Sequence, residues 1–100
     1  MPFPAKEYPF DFATLNTVNE IGAVYGLFAA DPYRPGYFNC LYTGETDNLR
    51  RRLFEHFNNP PVLGITHFFA EISPTERQRK QREKELIAEF NPPGNKTRGG

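Results

Sequence analysis

The 100-residue chain contains no tryptophan and only one cysteine, Cys40. A single cysteine excludes a disulfide framework and a zinc site built from several cysteines. No apolar stretch approaches the roughly 20 residues that a membrane-spanning helix requires, and no signal-peptide pattern opens the chain. Twelve basic and twelve acidic side chains give zero net charge, which excludes a polybasic protein that coats nucleic acid. We therefore expect a soluble, cytoplasmic domain that does not contact membranes.

The charge is unevenly distributed along the chain. Residues 1–49 carry two basic and six acidic side chains, whereas residues 50–100 carry ten basic and six acidic ones. Most of the positive charge lies in two short runs, Arg50–Arg52 and Arg77–Lys84. Such runs are usually solvated faces of helices, but a local basic surface can also contact phosphates when the net charge is zero.

The first half of the chain predicts a hairpin. Residues 1–20 are rich in Pro and Phe, have no clear period, and are interpreted as a lead-in that packs onto the domain. The apolar run 21–30 and the aromatic-rich run 37–42 predict two strands. The segment 31–36 between them carries the Pro and Gly residues of a turn.

A helix and a third strand are expected next. The segment Gly44–Asp47 should break the second strand, and Thr46 or Asp47 should cap the helix. Apolar residues at helical spacing carry this helix to about Phe57. The alternating stretch 65–72 then predicts the third strand.

A second helix is expected from Ser73 to about Phe90. Ser73 would cap it, Pro74 would be its first residue, and Glu76 would complete a capping box. Two adjacent prolines then end the helix. Residues 96–100 are expected to form a loose tail.

The predicted order is strand, strand, helix, strand, helix. This order favours the α+β class, with a small three-stranded antiparallel sheet flanked by helices. We interpret residues 1–100 as a single domain whose core spans about 21–95.

Glu83 is an acidic residue at an apolar position. It precedes Leu86, Ile87 and Phe90 by three, four and seven residues, so it heads the inward stripe of the second helix. An unpaired carboxylate there would cost several kcal/mol. Two explanations remain open: an ion pair or an edge position that reaches solvent, and a cleft in which the carboxylate binds a cation.

Arg52 and His56 are four residues apart and share one face of the first helix. A guanidinium can present a planar fork to a phosphate, and an imidazole can donate to a phosphate or accept a proton near neutral pH. The alternative is an arginine at the rim of the helix beside a half-buried histidine. Arg50 and Arg51 point elsewhere on this helix and are interpreted as solvated or as contacts to DNA.

Tyr25 and Tyr42 lie on the two strands of the predicted hairpin. Tyrosines in strands are usually core residues whose hydroxyl has a hydrogen-bond partner. Composition alone therefore favours a structural role for both.

Five short motifs follow one another between residues 22 and 95. They are Ala23-Val24-Tyr25, Tyr42-Thr43-Gly44, Arg52 with His56, Glu83-x-x-Leu86-Ile87, and Pro92-x-x-Asn95. In this order and spacing they resemble the GIY-YIG nuclease domain family, which occurs in excision-repair and homing endonucleases. The sequence departs from the family pattern at Ala23, which replaces a glycine, and at Glu45, where repair members carry a lysine.

The resemblance implies a metal-dependent DNA endonuclease that hydrolyses phosphodiester bonds with Mg²⁺ or Mn²⁺. Glu83 would hold the metal ion and Arg52 would bind the phosphate. A tyrosine would deprotonate the attacking water, and we favour Tyr25 over Tyr42 for this role. The pKa of a free tyrosine is about 10, so nearby positive charge would have to lower it. His56 would assist through a hydrogen bond.

Two further residues are implied as supports of the site. Asn95 would tie the end of the second helix to it, and Gly44 would let the backbone pass close to the tyrosines. DNA is the implied partner, in repair or recombination, with selectivity for a DNA structure or with a protein partner that supplies specificity.

Two other functions stay open. A non-catalytic nucleic-acid-binding module on the same scaffold is favoured by the departures at Ala23 and Glu45. A structural or protein-interaction domain would have no salt-dependent affinity for DNA.

Overall fold

The computed structural model describes residues 6–96. Its elements in chain order are β1 (Tyr8–Pro9), α1 (Phe12–Leu15), β2 (Ala23–Ala30), β3 (Phe38–Thr46), α2 (Leu49–Asn58), β4 (His67–Ile72), α3 (Glu76–Phe90) and α4 (Pro93–Lys96). The predicted α+β class is confirmed. Of the tail expected to be loose, residues 97–100 lie outside the described residues. Among residues 6–96, no helix has the length and apolar character that crossing a membrane requires.

The sheet has four antiparallel strands, in the order β1-β4-β2-β3, and the prediction of three was wrong. The additional strand is β1, which lies in the segment interpreted as a lead-in. Its residues Tyr8 and Pro9 pair with Phe68 and His67 of β4. A strand of two residues is too short to show an alternating pattern, and a proline is tolerated there because β1 is an edge strand.

The central strand, β2, is covered on both faces. Tyr25 and Leu53 of α2 belong to one core cluster on the first face. Phe28 lies on the opposite face and contacts Phe90 of α3, with ring centroids 5.7 Å apart. A strand buried on both faces needs apolar residues at successive positions, which explains the unbroken apolar run at 21–30.

The edge strand β3 continues four residues beyond its predicted end at Tyr42. Gly44 and Glu45, which were expected to break the strand, pair with β2 and extend the ladder to Thr46. The pairing with β2 therefore outweighs the weak strand preference of glycine at this position.

Both long helices begin later than predicted. α2 is capped by Asn48, whose side chain accepts a hydrogen bond from the backbone N–H three residues later at 3.1 Å. Thr46 and Asp47 are not the cap, because the chain is still in β3 at Thr46. α3 is capped in the same way by Thr75, at 3.3 Å, rather than by Ser73.

Candidate active site

A polar cleft opens at the β3 edge of the sheet, between α2 and α3. Its lining includes five acidic and four basic side chains. Tyr25 of β2, Tyr42 of β3, Arg52 of α2 and Glu83 of α3 all line this cleft. The structure therefore brings together four of the five residues that the sequence resemblance implied as catalytic.

The fifth of these residues, His56, lies behind the two phenols. Its Nε2 is 2.6 Å from the Tyr25 hydroxyl, and its ring packs edge-on against Tyr42 with centroids 5.2 Å apart. His56 is only 5% exposed, so it is buried rather than half-buried. An adjacent cleft is lined by His56 together with Tyr42 and Arg52. The Tyr25 hydroxyl and the His56 ring nitrogen are therefore within hydrogen-bond distance of each other.

Two glycines make room for the tyrosines. A Cβ at Gly44 would lie 2.5 Å from the Tyr25 hydroxyl oxygen and 2.6 Å from the ring carbon that carries it. A Cβ at Gly94 would lie 2.6 Å from the carbonyl oxygen of Leu41 and 3.2 Å from the Tyr42 Cβ. The shortest contact at each position, 2.5 Å at Gly44 and 2.6 Å at Gly94, is too close for a Cβ, so each position requires glycine. Gly94 was not identified from the sequence, because its neighbour Tyr42 is more than fifty residues away.

The pKa of the Tyr25 hydroxyl is raised above its ordinary value. Burial is the main cause, and the nearby Tyr42 adds to it, whereas the Arg52 guanidinium acts in the opposite direction. The expectation that nearby positive charge would bring this pKa below its ordinary value was therefore wrong. A single guanidinium does not offset the cost of burying a phenolate.

Arg52 is held at the mouth of the cleft by a neighbour on its own helix. Its Nη1 lies 2.8 Å from the Glu55 carboxylate, and this contact raises the pKa of the guanidinium further. Arg51 also lines the cleft and pairs with Asp47 at 2.8 Å, so the prediction that it points elsewhere was wrong. Arg50 does point elsewhere, with its guanidinium 3.4 Å from the side-chain oxygen of Asn16.

The most deeply buried charge in the cleft is Arg79, which sequence analysis missed. Its Nε lies 3.1 Å from Glu45, and its Nη1 donates to the carbonyl oxygens of Ser73 and Pro74 at 3.0 and 2.9 Å. A Cβ at Gly22 would lie 2.5 Å from Nη1, so the glycine makes room for the guanidinium. The sequence does contain a signal for Arg79, because this residue is four positions before Glu83 and lies on the same helical stripe.

Asn95 joins α4 to β3 through hydrogen bonds to Thr43. Its side-chain oxygen accepts from the backbone N–H of Thr43, and its Nδ2 donates to the carbonyl oxygen of Thr43, both at 2.8 Å. Thr43 lies between Tyr42 and Gly44, so this contact fixes the backbone at the centre of the site.

The chain is similar in structure to the GIY-YIG N-terminal endonuclease domain of UvrC from Thermotoga maritima. The magnesium-bound form gives a TM-score of 0.64 at 19% identity, covering 82% of this chain and 91% of that one. A tyrosine-to-phenylalanine variant bound to its catalytic divalent cation gives 0.65 at 19% identity, with the same coverage of both chains. No protein-family model matches the sequence, and neither does any curated protein. The chain has the GIY-YIG fold.

The donor groups in the cleft fit a magnesium-like cation. Among the described residues, no group of three or more His, Cys, Asp or Glu side chains converges as a closed ligand set. Mg²⁺ does not need one, because it is often held by one or two carboxylates and keeps several waters. Glu83, in an open polar cleft, meets this requirement. Glu45 also lines the cleft, where its carboxylate pairs with Arg79.

We expect Arg79→Met to lower the free energy of unfolding by on the order of 3 kcal/mol, because it leaves the Glu45 carboxylate without its partner. The double variant Arg79→Met with Glu45→Gln should recover at least half of this loss. Urea denaturation of both variants and of Glu45→Gln completes the cycle. Additive losses would contradict a coupled pair.

The raised pKa of Tyr25 predicts alkaline destabilisation of the protein. The folded protein keeps this proton at pH values where the unfolded chain, with a tyrosine pKa of about 10, releases it. The contribution to stability is complete below about pH 10 and is lost as the pH rises further. We expect urea denaturation above this pH to show a shallower decline for Tyr25→Phe than for wild type.

The exposed Tyr33 supplies the control for this measurement. Tyr33→Phe should keep the wild-type decline, since this side chain is 90% exposed and folding changes its surroundings little. If Tyr25→Phe and Tyr33→Phe decline equally, Tyr25 does not retain its proton in the folded state.

Proposed function

We propose that this GIY-YIG domain is a metal-dependent DNA endonuclease that hydrolyses phosphodiester bonds. The observation that carries the proposal is that Tyr25, Tyr42, Arg52 and Glu83 line one cleft although they come from four different elements. The structural neighbours support the same class, because they are endonuclease domains bound to a catalytic divalent cation, magnesium in one of them. DNA as the substrate rests on the motif resemblance.

Glu83 is the residue that would hold Mg²⁺ or Mn²⁺. Bound at this carboxylate, the cation would stabilise the leaving oxygen and the charge that develops on the phosphate. Glu83 lies on α3. The buried Arg79 of the same helix joins α3 to β3 through its ion pair with Glu45. A rigid support of this kind would hold the Glu83 carboxylate in one position.

Tyr25 and His56 would act together on the proton of the attacking water. A free tyrosinate is disfavoured, since burial raises the pKa of Tyr25. The hydroxyl can instead accept the water proton while its own proton passes to His56 Nε2, 2.6 Å away. Tyr42 packs against both rings and would orient them.

Arg52 would bind the non-bridging phosphate oxygens. Its guanidinium is tied to Glu55 at the surface, where solvent weakens the ion pair. A dianionic transition state offers a stronger partner and a bidentate geometry. Asn95 and Gly44 would support the site through the β3 backbone, by the hydrogen bonds and the close approach described above.

We infer a role in DNA repair or recombination, with selectivity for DNA structure or with a protein partner that supplies specificity. The alternative is a non-catalytic nucleic-acid-binding module. Two departures from the family pattern, at Glu45 and Ala23, favoured this alternative. Glu45 forms an ion pair with Arg79, and Ala23 is fully buried in β2. Incubation of a supercoiled plasmid or a branched duplex with Mg²⁺ or Mn²⁺ separates the two, because the module binds without nicking.

Glu83→Gln should abolish metal-dependent nicking of supercoiled plasmid while leaving the thermal unfolding curve near that of wild type. The amide keeps the volume of the side chain and removes the negative charge that holds the cation. Mn²⁺ affinity, followed by titration calorimetry, should fall in parallel.

Glu85→Gln is the matched control, because Glu85 lies on the same helix, outside the cleft lining, and pairs with Arg82. It should nick the plasmid at the wild-type rate. Wild-type activity in Glu83→Gln would remove Glu83 from the site, and equal losses in both variants would show a general effect of charge.

Arg52→Ala should lower kcat by roughly 10²-fold or more, the usual cost of losing one donor to a transition state. Arg50→Ala, next to it but directed away from the cleft, should change kcat little. Steady-state nicking rates at several substrate concentrations measure both. A rise in KM with unchanged kcat would instead make Arg52 a residue that only binds substrate.

A further inference from the structure

One narrow strip of the exposed surface of α3 carries two cations and no carboxylate, whereas the exposed Glu76, Glu85 and Glu89 lie to either side of it. Its residues, here called the α3 basic face, are Arg77, Gln81, Lys84 and Ala88, and all four are exposed. Arg77 and Lys84 are seven residues apart and therefore point in nearly the same direction. About 10 Å separates them along the helix axis, at 1.5 Å per residue.

The other cations of α3 are neutralised by nearby carboxylates. Arg79 pairs with Glu45, Lys80 with Glu76 at 3.0 Å, and Arg82 with both Glu71 and Glu85. By contrast, neither Arg77 nor Lys84 forms an ion pair with any side chain in the described part of the chain. The unpaired charge of this helix is thus concentrated on the α3 basic face.

The helix itself gains no ion pair from these two cations. Neither Arg77 nor Lys84 has an acidic residue three or four positions away, the spacing at which a pair of opposite charges stabilises a helix. An acidic residue at position 81 or 88 would have supplied such a pair, but these positions hold Gln81 and Ala88. Helix stability therefore gives no reason for the pattern, whereas binding to a polyanion does.

The α3 basic face is continuous with the cleft. Lys80 lines the cleft and lies, around the helix, between Glu83 and the two cations of the basic face. A nucleic-acid strand whose phosphate sits at Glu83 would pass Lys80 before reaching Arg77 and Lys84. Duplex DNA is wide enough to cover an entire helix of about 10–12 Å diameter.

We propose that the α3 basic face binds the phosphodiester backbone of duplex DNA that extends from the cleft. The proposal rests on the proposed nuclease function, but it concerns affinity rather than chemistry. Contacts of this kind are independent of base sequence and release counterions from the DNA. They would give a domain of zero net charge a local surface for DNA.

The salt dependence of binding tests the proposal quantitatively. Each phosphate contact contributes about −0.9 to the slope of log affinity against log salt concentration. Arg77→Gln with Lys84→Gln should therefore make the slope shallower by about 1.8. Fluorescence anisotropy of a labelled duplex, titrated in EDTA over a series of NaCl concentrations, gives the slope without cleavage.

The matched control removes the same amount of charge elsewhere. Lys6→Gln with Arg34→Gln also deletes two exposed cations, of which Arg34 lies on the β2–β3 loop and pairs with Asp31. This control should keep the wild-type slope. Equal slopes in wild type and in the Arg77 and Lys84 variant, or equal losses in both double variants, would overturn the proposal. Tighter binding to an RNA duplex of the same length would overturn the assignment to DNA.

A parallel nicking assay separates this proposal from the proposed function. If the wild-type protein nicks DNA and the salt slope does not depend on the α3 basic face, only the present proposal fails. If the wild-type protein neither binds nor nicks DNA, the nuclease function fails, and the α3 basic face has no DNA to bind. If the nuclease function and the present proposal both hold, the Arg77 and Lys84 variant should nick DNA with a higher KM and an unchanged kcat at saturating DNA.

Discussion

The ring of Tyr25 lies against the backbone of β3 at Gly44, and its hydroxyl reaches the buried His56. This contact is possible only because β2 and β3 pair through Gly44, where no Cβ intervenes. Because the two strands are pleated, successive side chains point to opposite faces of the sheet. Tyr25 and Tyr42 turn toward α2, whereas Glu45 turns toward Arg79 of α3. Since β3 is the edge strand, both faces open into the same cleft there.

The charges in and around this cleft indicate how a domain of zero net charge could bind the anionic substrate that we propose. Arg51, Arg52, Arg79 and Lys80 each pair with a carboxylate that also lines the cleft. Burial makes the Arg79–Glu45 pair the most consequential of these, since removal of either partner would strand a charge away from water. The exposed pairs are weaker and can exchange a carboxylate for a phosphate. Net charge is therefore a poor guide to substrate in this fold, because local arrangement decides which cations are available.

Local sequence signals predicted much of the fold. The apolar run of β2, the alternation of β4 and the apolar spacing of α2 were all sufficient, and the predicted end of α3 at Phe90 is confirmed. The failures occurred where pairing between distant segments overrides local preference. β1 exists because two residues meet β4, and β3 runs through Gly44 because β2 lies beside it. The caps at Asn48 and Thr75 were missed for the same reason, since the preceding strands or loops extend further than local chemistry indicates.

The sequence by itself determined the spacing of the motifs and the helical stripe on which Glu83 lies, because both depend only on residues close together in the chain. Tertiary structure alone decided three other features: the raised pKa of Tyr25, the partnership of Arg79 with Glu45, and the convergence of four elements on one cleft. The physical reason is common to all three. Burial and ion pairing depend on which residues distant in sequence are brought together, and spacing along the chain carries no record of that.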